Sequence, residues 1–312
     1  MAVTATRHAA SREPSVELPG AWQALSDAIR IVRSAISTTS SEDPGLFGPG
    51  SVAWRIHRDP AFGVGGIAAL FHEALHPVAM AAVDQHSDFS HNAWVRLWST
   101  TEWLFTVIFG STAAAEAAGE RVRRLHERIR GIDPVTGRQY RADDPDLLLW
   151  IHAVSVDYAL RSYQAYAYPL SPDDADRFVR EMKVQARLVA LAEEAAPSSV
   201  TELRAYLTSM RPQWRMTDSA YGFFRAFSQA RMPLSMRPVW LLHLVGIVAL
   251  LPPEVRRLYD APRWIPTGPL TRQVVRLSFR LLNLGYPALK SIRTIRRRLD
   301  ALERAAIRSG RS

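Results

Sequence analysis

Apolar side chains recur every three or four residues along almost the whole chain, which is the spacing of one face of an α-helix. No segment shows the strict alternation of a half-buried strand, and no internal repeat is visible. The pattern therefore predicts an all-α fold, a single multi-helical domain. The predicted helices span residues 21–36, 51–58, 61–75, 78–84, 92–109, 112–130, 145–166, 172–194, 199–209, 217–230, 236–250, 253–259, 269–284 and 287–308.

The same pattern divides the chain into three parts. Residues 1–20 are polar and aperiodic and are predicted to form a disordered tail. Residues 21–265 form the main helical domain, and residues 266–312 form amphipathic basic helices separated at Gly285 and Pro287. The apolar positions of these last two helices are Leu270, Val274, Leu277 and Leu281, then Ile292, Ile295, Leu299 and Leu302, and Arg272, Arg276 and Arg280 lie opposite the first group.

Most of the positive charge lies near the C-terminus. The net charge is +9, and residues 290–312 contain eight Lys/Arg and two Asp/Glu. Because no basic core remains in the rest of the chain, we expect no nucleic-acid partner. Basic amphipathic helices either lie on an anionic membrane surface or pack on their own domain with the charged face in water. The sequence leaves both interpretations open and does not define an oligomeric state.

The lack of cysteine limits the possible cofactors, and the length of the longest apolar run bears on whether the chain spans a membrane. The absence of cysteine excludes disulfides, iron–sulfur clusters and thiolate ligands. The N-terminus lacks the apolar segment of a secretory signal. The longest apolar run, residues 239–251, is shorter than the roughly 20 residues of a membrane span. We therefore expect a cytoplasmic protein, with peripheral contact at the inner membrane face if the C-terminal basic helices bind lipid.

One segment, residues 121–131, places a histidine among arginines. On a helix His126 lies at the edge of an apolar seam, and Arg123 and Arg130 fall on its side at spacings of three and four. One axial nitrogen flanked by two guanidinium groups suits haem b with its propionates. A core histidine beside solvated arginines is the alternative, which pattern alone favours. The seam consists of Ala118, Val122, Leu125 and Ile129.

A second segment, His72-Glu73-Ala74-Leu75-His76, has the spacing of a zinc metallohydrolase helix, with two histidines flanking a catalytic glutamate. Pro77 follows His76 directly and disfavours the helical conformation that would bring both imidazoles to one face. The next histidine, His86, does not stand at the spacing of a third ligand. Zinc hydrolysis is therefore a disfavoured alternative.

Two further helices carry candidate polar residues on apolar faces. In the helix over 92–109, Arg96, Thr100, Trp103 and Val107 share one face, where an arginine needs an anion or an acceptor. An arginine whose stem covers apolar surface is the alternative. In the helix over 145–166, His152 points inward, either as a core histidine or as a residue that contacts a cofactor.

Taken together, these segments resemble the mpaB/rubber-oxygenase catalytic domain over about residues 40–260, and residues 21–265 are accordingly identified as that domain. The family includes the latex clearing proteins. The segments that carry the resemblance are Gly45-Leu46-Phe47-Gly48-Pro49-Gly50-Ser51, Ala74-Leu75-His76-Pro77, Gln85-His86-Ser87, Arg96 to Thr100, Phe109-Gly110, Arg123-Arg124-Leu125-His126 through Arg130, Asp133-Pro134 with Thr136-Gly137, and Leu149-Trp150-Ile151-His152.

The resemblance implies a globin-like arrangement of helices around haem b and oxidative chemistry with dioxygen. The axial histidine of latex clearing proteins lies in a motif R-x-x-H-x-x-x-R, which Arg123, His126 and Arg130 match here. A distal arginine and threonine match Arg96 and Thr100, which would donate hydrogen bonds to bound dioxygen. Ser99 replaces the distal lysine of those proteins, so neither a ligand-closed resting state nor rubber as substrate is implied.

The function expected from these residues is a haem b-dependent oxygenase or oxidoreductase. Its substrates would be dioxygen and an apolar, unsaturated or aromatic small molecule, and its reaction either oxidative C=C cleavage or the tailoring of a natural product. Arg96 and Thr100 are the expected catalytic residues, His126 the iron ligand, and Arg123, Arg130 and His152 further cofactor-binding residues. A non-catalytic haem carrier or sensor is the alternative, because binding and catalytic residues would coincide.

Overall fold

The structure, a computed structural model, describes residues 30–40, 42–87, 89–229, 234, 237–261, 265–285 and 297–305. The predicted tail at 1–20 lies outside these residues. The described part is predominantly helical, which confirms the all-α prediction. Residues 30–37 and 297–305 are also helical. The other elements, in chain order, are α1 Val52–His57, α2 Ala61–Glu73, α3 Pro77–His86, α4 Phe89–Phe109, α5 Thr112–His126, β1 Arg130–Ile132, β2 Gln139–Arg141, α6 Pro145–Tyr166, α7 Pro172–Glu181, α8 Lys183–Leu188, α9 Val200–Ser209, a 3₁₀ turn Arg211–Gln213, α10 Asp218–Ser228, α11 Arg237–Leu250, α12 Pro253–Leu258 and α13 Pro269–Gly285.

Local sequence sets where many of these helices begin. Several helices follow a serine or threonine whose hydroxyl accepts a backbone N–H of the first turn, as helix starts require. Pro145 and Pro172 occupy first-turn positions, where a missing N–H costs nothing. The capping side chains are Ser51, Ser111, Ser171, Ser199 and Thr217.

The core is built on the packing of α2 against α6, which is the most extensive helix contact in the described structure. Gly65 makes this close approach possible, because a Cβ there would lie 2.4 Å from Ser162 Oγ and 2.6 Å from the Tyr158 carbonyl oxygen. Helix α11 covers the pair, with Gly246 against Val64. Because these two central helices run through the interior, several polar residues on them are buried as well.

A short β-hairpin replaces the end of the predicted helix over 112–130. The predicted C-terminal bound of that helix was therefore wrong, and so was the expectation that this segment contains no strand. Helix α5 ends at His126, and β1 pairs antiparallel with β2 in the register Gly131 to Tyr140. The Asp133 carboxylate accepts backbone N–H groups at the turn, which closes at Gly137 with φ of +71°. Local turn chemistry therefore outcompetes helix propagation beyond His126.

Two further predictions need correction: the apolar seam on α5 and the bounds of the helix over 172–194. Leu125, assigned to an apolar seam, is 56% exposed. The helix over 172–194 is two helices, α7 and α8, followed by Ala190 in a left-handed conformation.

Among the described helices, none is long and apolar enough to cross a membrane alone. Helices α2 and α3 reach the length and hydropathy of a membrane span only when taken together, and the two helices meet at an angle of 103°.

The C-terminal helix at 297–305 packs on the domain, so its apolar face is not free as one interpretation expected. Leu299 is buried, and Arg58 pairs with Asp300 at 2.8 Å and with Glu303 at 2.9 Å. Arg298 donates to the Ile36 carbonyl oxygen at 3.2 Å. Of the other predicted apolar positions, Leu302 packs against the core, whereas Ile292 and Ile295 lie outside the described residues.

We expect Gly65→Ala to destabilise the protein by about 1–3 kcal/mol, because the added methyl group cannot fit between α2 and α6 without moving backbone. Gly63→Ala, in the same helix with nothing near its Cβ position, is the matched control and should stabilise by up to about 1 kcal/mol. Urea unfolding of both variants measures the difference. Equal stabilities would contradict the tight crossing.

Candidate functional site

The candidate site lies where the C-terminal end of α2 meets α6. Trp150 donates its indole N–H to the Glu73 backbone oxygen at 3.2 Å, and Ser155 donates its hydroxyl to Glu73 Oε1 at 2.8 Å. Arg96 of α4 interacts electrostatically both with Glu73 and with His126 at the end of α5. Four helices therefore bring a carboxyl, a guanidinium and an imidazole group into one neighbourhood.

Glu73 is a carboxyl group held inside the protein. Burial raises its pKa to about 7, although the Ser155 hydrogen bond and the positive charge of Arg96 lower it. A carboxyl with a pKa near neutrality can hold a proton or release it under physiological conditions, which is what a general acid or base must do. The sequence marks Glu73 only as part of the zinc pattern, because the partners that bury it come from distant segments.

Arg96 supplies positive charge to this neighbourhood. Burial lowers the pKa of its guanidinium, whereas the nearby Glu73 raises it. Burying a cation is costly unless an anion or an acceptor compensates, and the interaction of Arg96 with the Glu73 carboxyl offsets part of that cost. The expectation that Arg96 faces inward agrees with this burial. Thr100, one turn later, is exposed, and its proposed role stays a prediction.

His126 presents a neutral imidazole. Burial lowers its pKa, Asp143 raises it, and Arg96 lowers it further. Its Nδ1 atom is buried and has no hydrogen-bond partner in the described part of the chain. Most buried polar atoms in proteins are paired, so this nitrogen, like the two unpaired ring nitrogens of His72, is left available to a hydrogen-bond or metal partner. A neutral histidine with an available lone pair is the form that ligates iron.

The arginines predicted around His126 are arranged differently from the helical expectation. Arg123 bonds the Leu188 carbonyl oxygen at 2.9 Å and Glu120 at 2.6 Å, so its guanidinium already has partners. Arg130 does not lie on α5, because the helix has ended; it stands in β1 and is exposed. The predicted spacing of four along one helix was therefore wrong for Arg130. Its exposed guanidinium is the freer of the two to meet an anionic group.

His72 occupies an aromatic cage. Its ring makes edge contacts with Trp150, Tyr158 and Trp214, with ring centroids 5.4, 5.6 and 4.5 Å away. Burial lowers its pKa to about 3, so the ring is neutral. Neither ring nitrogen, nor the Tyr158 hydroxyl, nor the Trp214 N–H has a hydrogen-bond partner among the described residues. Nothing local in the sequence reveals this cage, because Trp214 comes from a distant loop.

The zinc pattern does not form a zinc site here. Helix α2 ends at Glu73, and His76 is extended with ψ of 109°, as Pro77 predicts. His76 instead caps α3, since its Nδ1 accepts the Ala79 N–H, and its Nε2 contacts Gln213 at 3.1 Å. Within the described ranges, no cluster of three or more His, Cys, Asp or Glu side chains is arranged to hold a metal ion.

His152 is buried on α6, as its inward-facing position predicted. Burial lowers its pKa to about 4, and the charge of Lys183 lowers it further, so the ring is neutral. The role of His152 in binding a cofactor stays a prediction. The fit of haem b to the site rests on His126, whose neutral ring and unpaired buried nitrogen suit an axial ligand, with Arg130 available for a propionate.

Comparisons with known proteins identify one match. Residues 54–283 match the model of the family described as ER-bound oxygenase mpaB/B'/Rubber oxygenase, catalytic domain. The matched range contains α2, α4, α5 and α6, which carry Glu73, Arg96, His126 and His152. Comparisons with curated proteins and with solved structures give no match.

We expect Glu73→Gln to become more stable relative to the wild type as pH rises from about 4.5 to about 7. In this window the unfolded carboxyl ionises, whereas the folded one, with its raised pKa, keeps its proton, so the wild type loses stability. The full difference is about 3 kcal/mol, at about 1.4 kcal/mol per pKa unit. Urea unfolding at pH 5 and pH 8 measures it.

The matched variant is Ser155→Ala, which removes the hydrogen bond that favours the ionised carboxylate. Its stability should fall more steeply with pH than that of the wild type, and combining it with Glu73→Gln should abolish the extra slope. A Glu73→Gln protein whose stability relative to the wild type is the same at both pH values would show that the carboxyl ionises normally.

Proposed function

The chain belongs to the mpaB/rubber oxygenase catalytic-domain family, and we propose that it is a haem b-dependent oxygenase that uses dioxygen to oxidise an apolar small molecule. The observation that carries the haem proposal is His126, with a buried Nδ1 that has no partner and a pKa lowered by burial. In this proposal His126 would ligate the haem iron, and Arg130 or Arg123 would pair with a propionate. Haem, when bound, supplies the redox chemistry that activates dioxygen.

The residues of this chain then have separate roles. Arg96 places a fixed positive charge beside Glu73 and His126, where it stabilises negative charge that develops on a bound oxidant or substrate. Glu73, with a pKa of about 7, holds or accepts a proton at its carboxylate oxygens. Ser155 and Trp150 position Glu73 through the hydrogen bonds to its carboxyl and its backbone.

We base the apolar character of the proposed substrate on the residues that follow Arg96 along α4. Trp103 lies two turns after Arg96 on α4, and its indole N–H is buried without a partner in the described structure. Val107, one turn further, is fully buried. Such surroundings favour an apolar, unsaturated or aromatic substrate, and oxidative C=C cleavage is the reaction we propose for it. Ser99, which stands where latex clearing proteins have a lysine, is exposed and provides no cation.

We expect His126→Ala to lose haem while it keeps its helical content. The purified wild type should show a Soret band, and the variant should lose at least about nine-tenths of it, because no other described residue is assigned to the iron. Arg128→Ala, exposed and two residues away, is the matched control. Added imidazole should restore part of the band in a His126→Gly protein. Full haem occupancy in His126→Ala would refute the ligand assignment.

We expect Arg96→Gln to keep haem but to weaken azide binding to the ferric protein by at least about tenfold, because a buried cation that stabilises an anion contributes 1.4 kcal/mol or more. Spectral titration gives the dissociation constants. Arg121→Gln, an exposed arginine on α5, serves as control and should bind azide as the wild type does. Unchanged azide affinity in Arg96→Gln would place this arginine outside the site.

The alternative function is a haem carrier or sensor. A protein that binds haem but consumes no oxygen with any apolar substrate would favour that alternative.

A further inference from the structure

Helix α13 has two apolar faces, one buried against the domain and one exposed as a stripe. Thr271, Val275 and Phe279 form the face that is buried against the domain. Leu270, Val274 and Leu277, spaced four and three residues apart, form the stripe and are 73%, 50% and 57% exposed. The sequence predicted this second set as the apolar side of the helix, but it is not the side that packs on the core.

Specific contacts fix the orientation of α13, so the stripe cannot turn inward. Arg276 donates from Nη2 to the Ala165 and Gln164 carbonyl oxygens at 3.0 and 3.2 Å. The Phe279 ring packs edge-on against His243 at 5.1 Å, and Val275 lies against Gly246. Rotating the helix to bury Leu270 and Leu277 would break all of these contacts. Among the described residues, the stripe therefore faces away from the core and is not covered.

The stripe has an aromatic and a cationic neighbour on its own side of the fold. The pairs His243–Phe279 and Gly246–Val275 show that α11 runs antiparallel beside the buried face of α13. Tyr168, an exposed ring beneath the Arg280 guanidinium, lies at the edge of α13. Exposed leucines beside tyrosine and arginine are the composition of proteins that lie in the interfacial layer of a bilayer.

The distribution of charge identifies the partner. Residues 237–312 contain 15 Lys/Arg and 4 Asp/Glu, whereas residues 1–236 contain 24 Lys/Arg and 26 Asp/Glu. All of the net positive charge therefore lies in the part of the chain that carries the stripe. A second copy of the chain would bring the same positive charge to the interface and be repelled. An anionic lipid surface attracts this charge and accepts the leucines.

We propose that the stripe of α13 docks the protein peripherally on a membrane that contains anionic lipids. Leu270, Val274 and Leu277 enter the boundary between headgroups and acyl chains, and the exposed Arg272 and Arg280 of the same helix meet the headgroups. The docking helix is thus α13, and the helix at 297–305 stays packed on the domain through Leu299. This surface is independent of the haem proposal, because none of its residues belongs to the candidate site.

The test is co-sedimentation of the full-length protein with vesicles. We expect binding to vesicles of phosphatidylcholine mixed with phosphatidylglycerol, weaker binding at high salt, and at least about tenfold weaker binding to phosphatidylcholine alone. The triple variant Leu270→Gln, Val274→Gln, Leu277→Gln should lower the partition coefficient on anionic vesicles by at least about tenfold. It should keep its helical content, because the three side chains contact solvent and glutamine is compatible with a helix.

The matched control is Ile132→Gln, Val135→Gln, which removes two equally exposed apolar side chains, 56% and 55%, from the hairpin. It should bind vesicles as the wild type does. Failure of the wild type to sediment with anionic vesicles, or undiminished binding of the triple variant, would overturn the proposal. A concentration-dependent dimer that the triple variant loses, without vesicle binding, would also overturn it and assign the stripe to a second copy.

Discussion

The close crossing of α2 and α6 at Gly65 is the constraint on which the rest of the structure depends. It allows two helices to run through the interior with no side chain between their backbones at that point. One consequence is that α2 ends inside the protein, where Glu73 meets Ser155 and Trp150 rather than water. A polar helix end without solvent has to find partners in the protein, and those partners form the candidate site.

Desolvation then decides the charge states in this neighbourhood. Burial keeps His72 and His126 neutral and raises the pKa of Glu73 towards neutrality. Arg96 is the cation that faces these groups, and it is held there by its interaction with Glu73. In the proposed oxygenase, the neutral imidazole would bind iron, the fixed charge would stabilise an anion, and the titratable carboxyl would move a proton. The family to which the chain belongs is consistent with that chemistry.

Much of the helical framework could be predicted from periodicity and capping residues, because those signals are local. The helix over 145–166, with Pro145 at its start, has the predicted bounds. The end of α5 at His126 could not be predicted from spacing, because the turn at Asp133 and Gly137 competes with the helix. The exposed face of α13 is the more hydrophobic of its two faces in sequence, because the buried face contains Thr271. Only tertiary contacts decide that Val275 and Phe279 pack inward. Likewise, the aromatic cage of His72 depends on Trp214, which no local pattern connects to α2.

The haem content of the wild-type, 312-residue chain decides whether His126 is an iron ligand. The protein would be purified from haem-replete cells and assayed as its pyridine haemochrome, oxidised and dithionite-reduced. We expect one haem b per chain and a Soret band that shifts on reduction. A colourless, fully folded protein that takes up no added haemin would show that the chain is not a haem oxygenase.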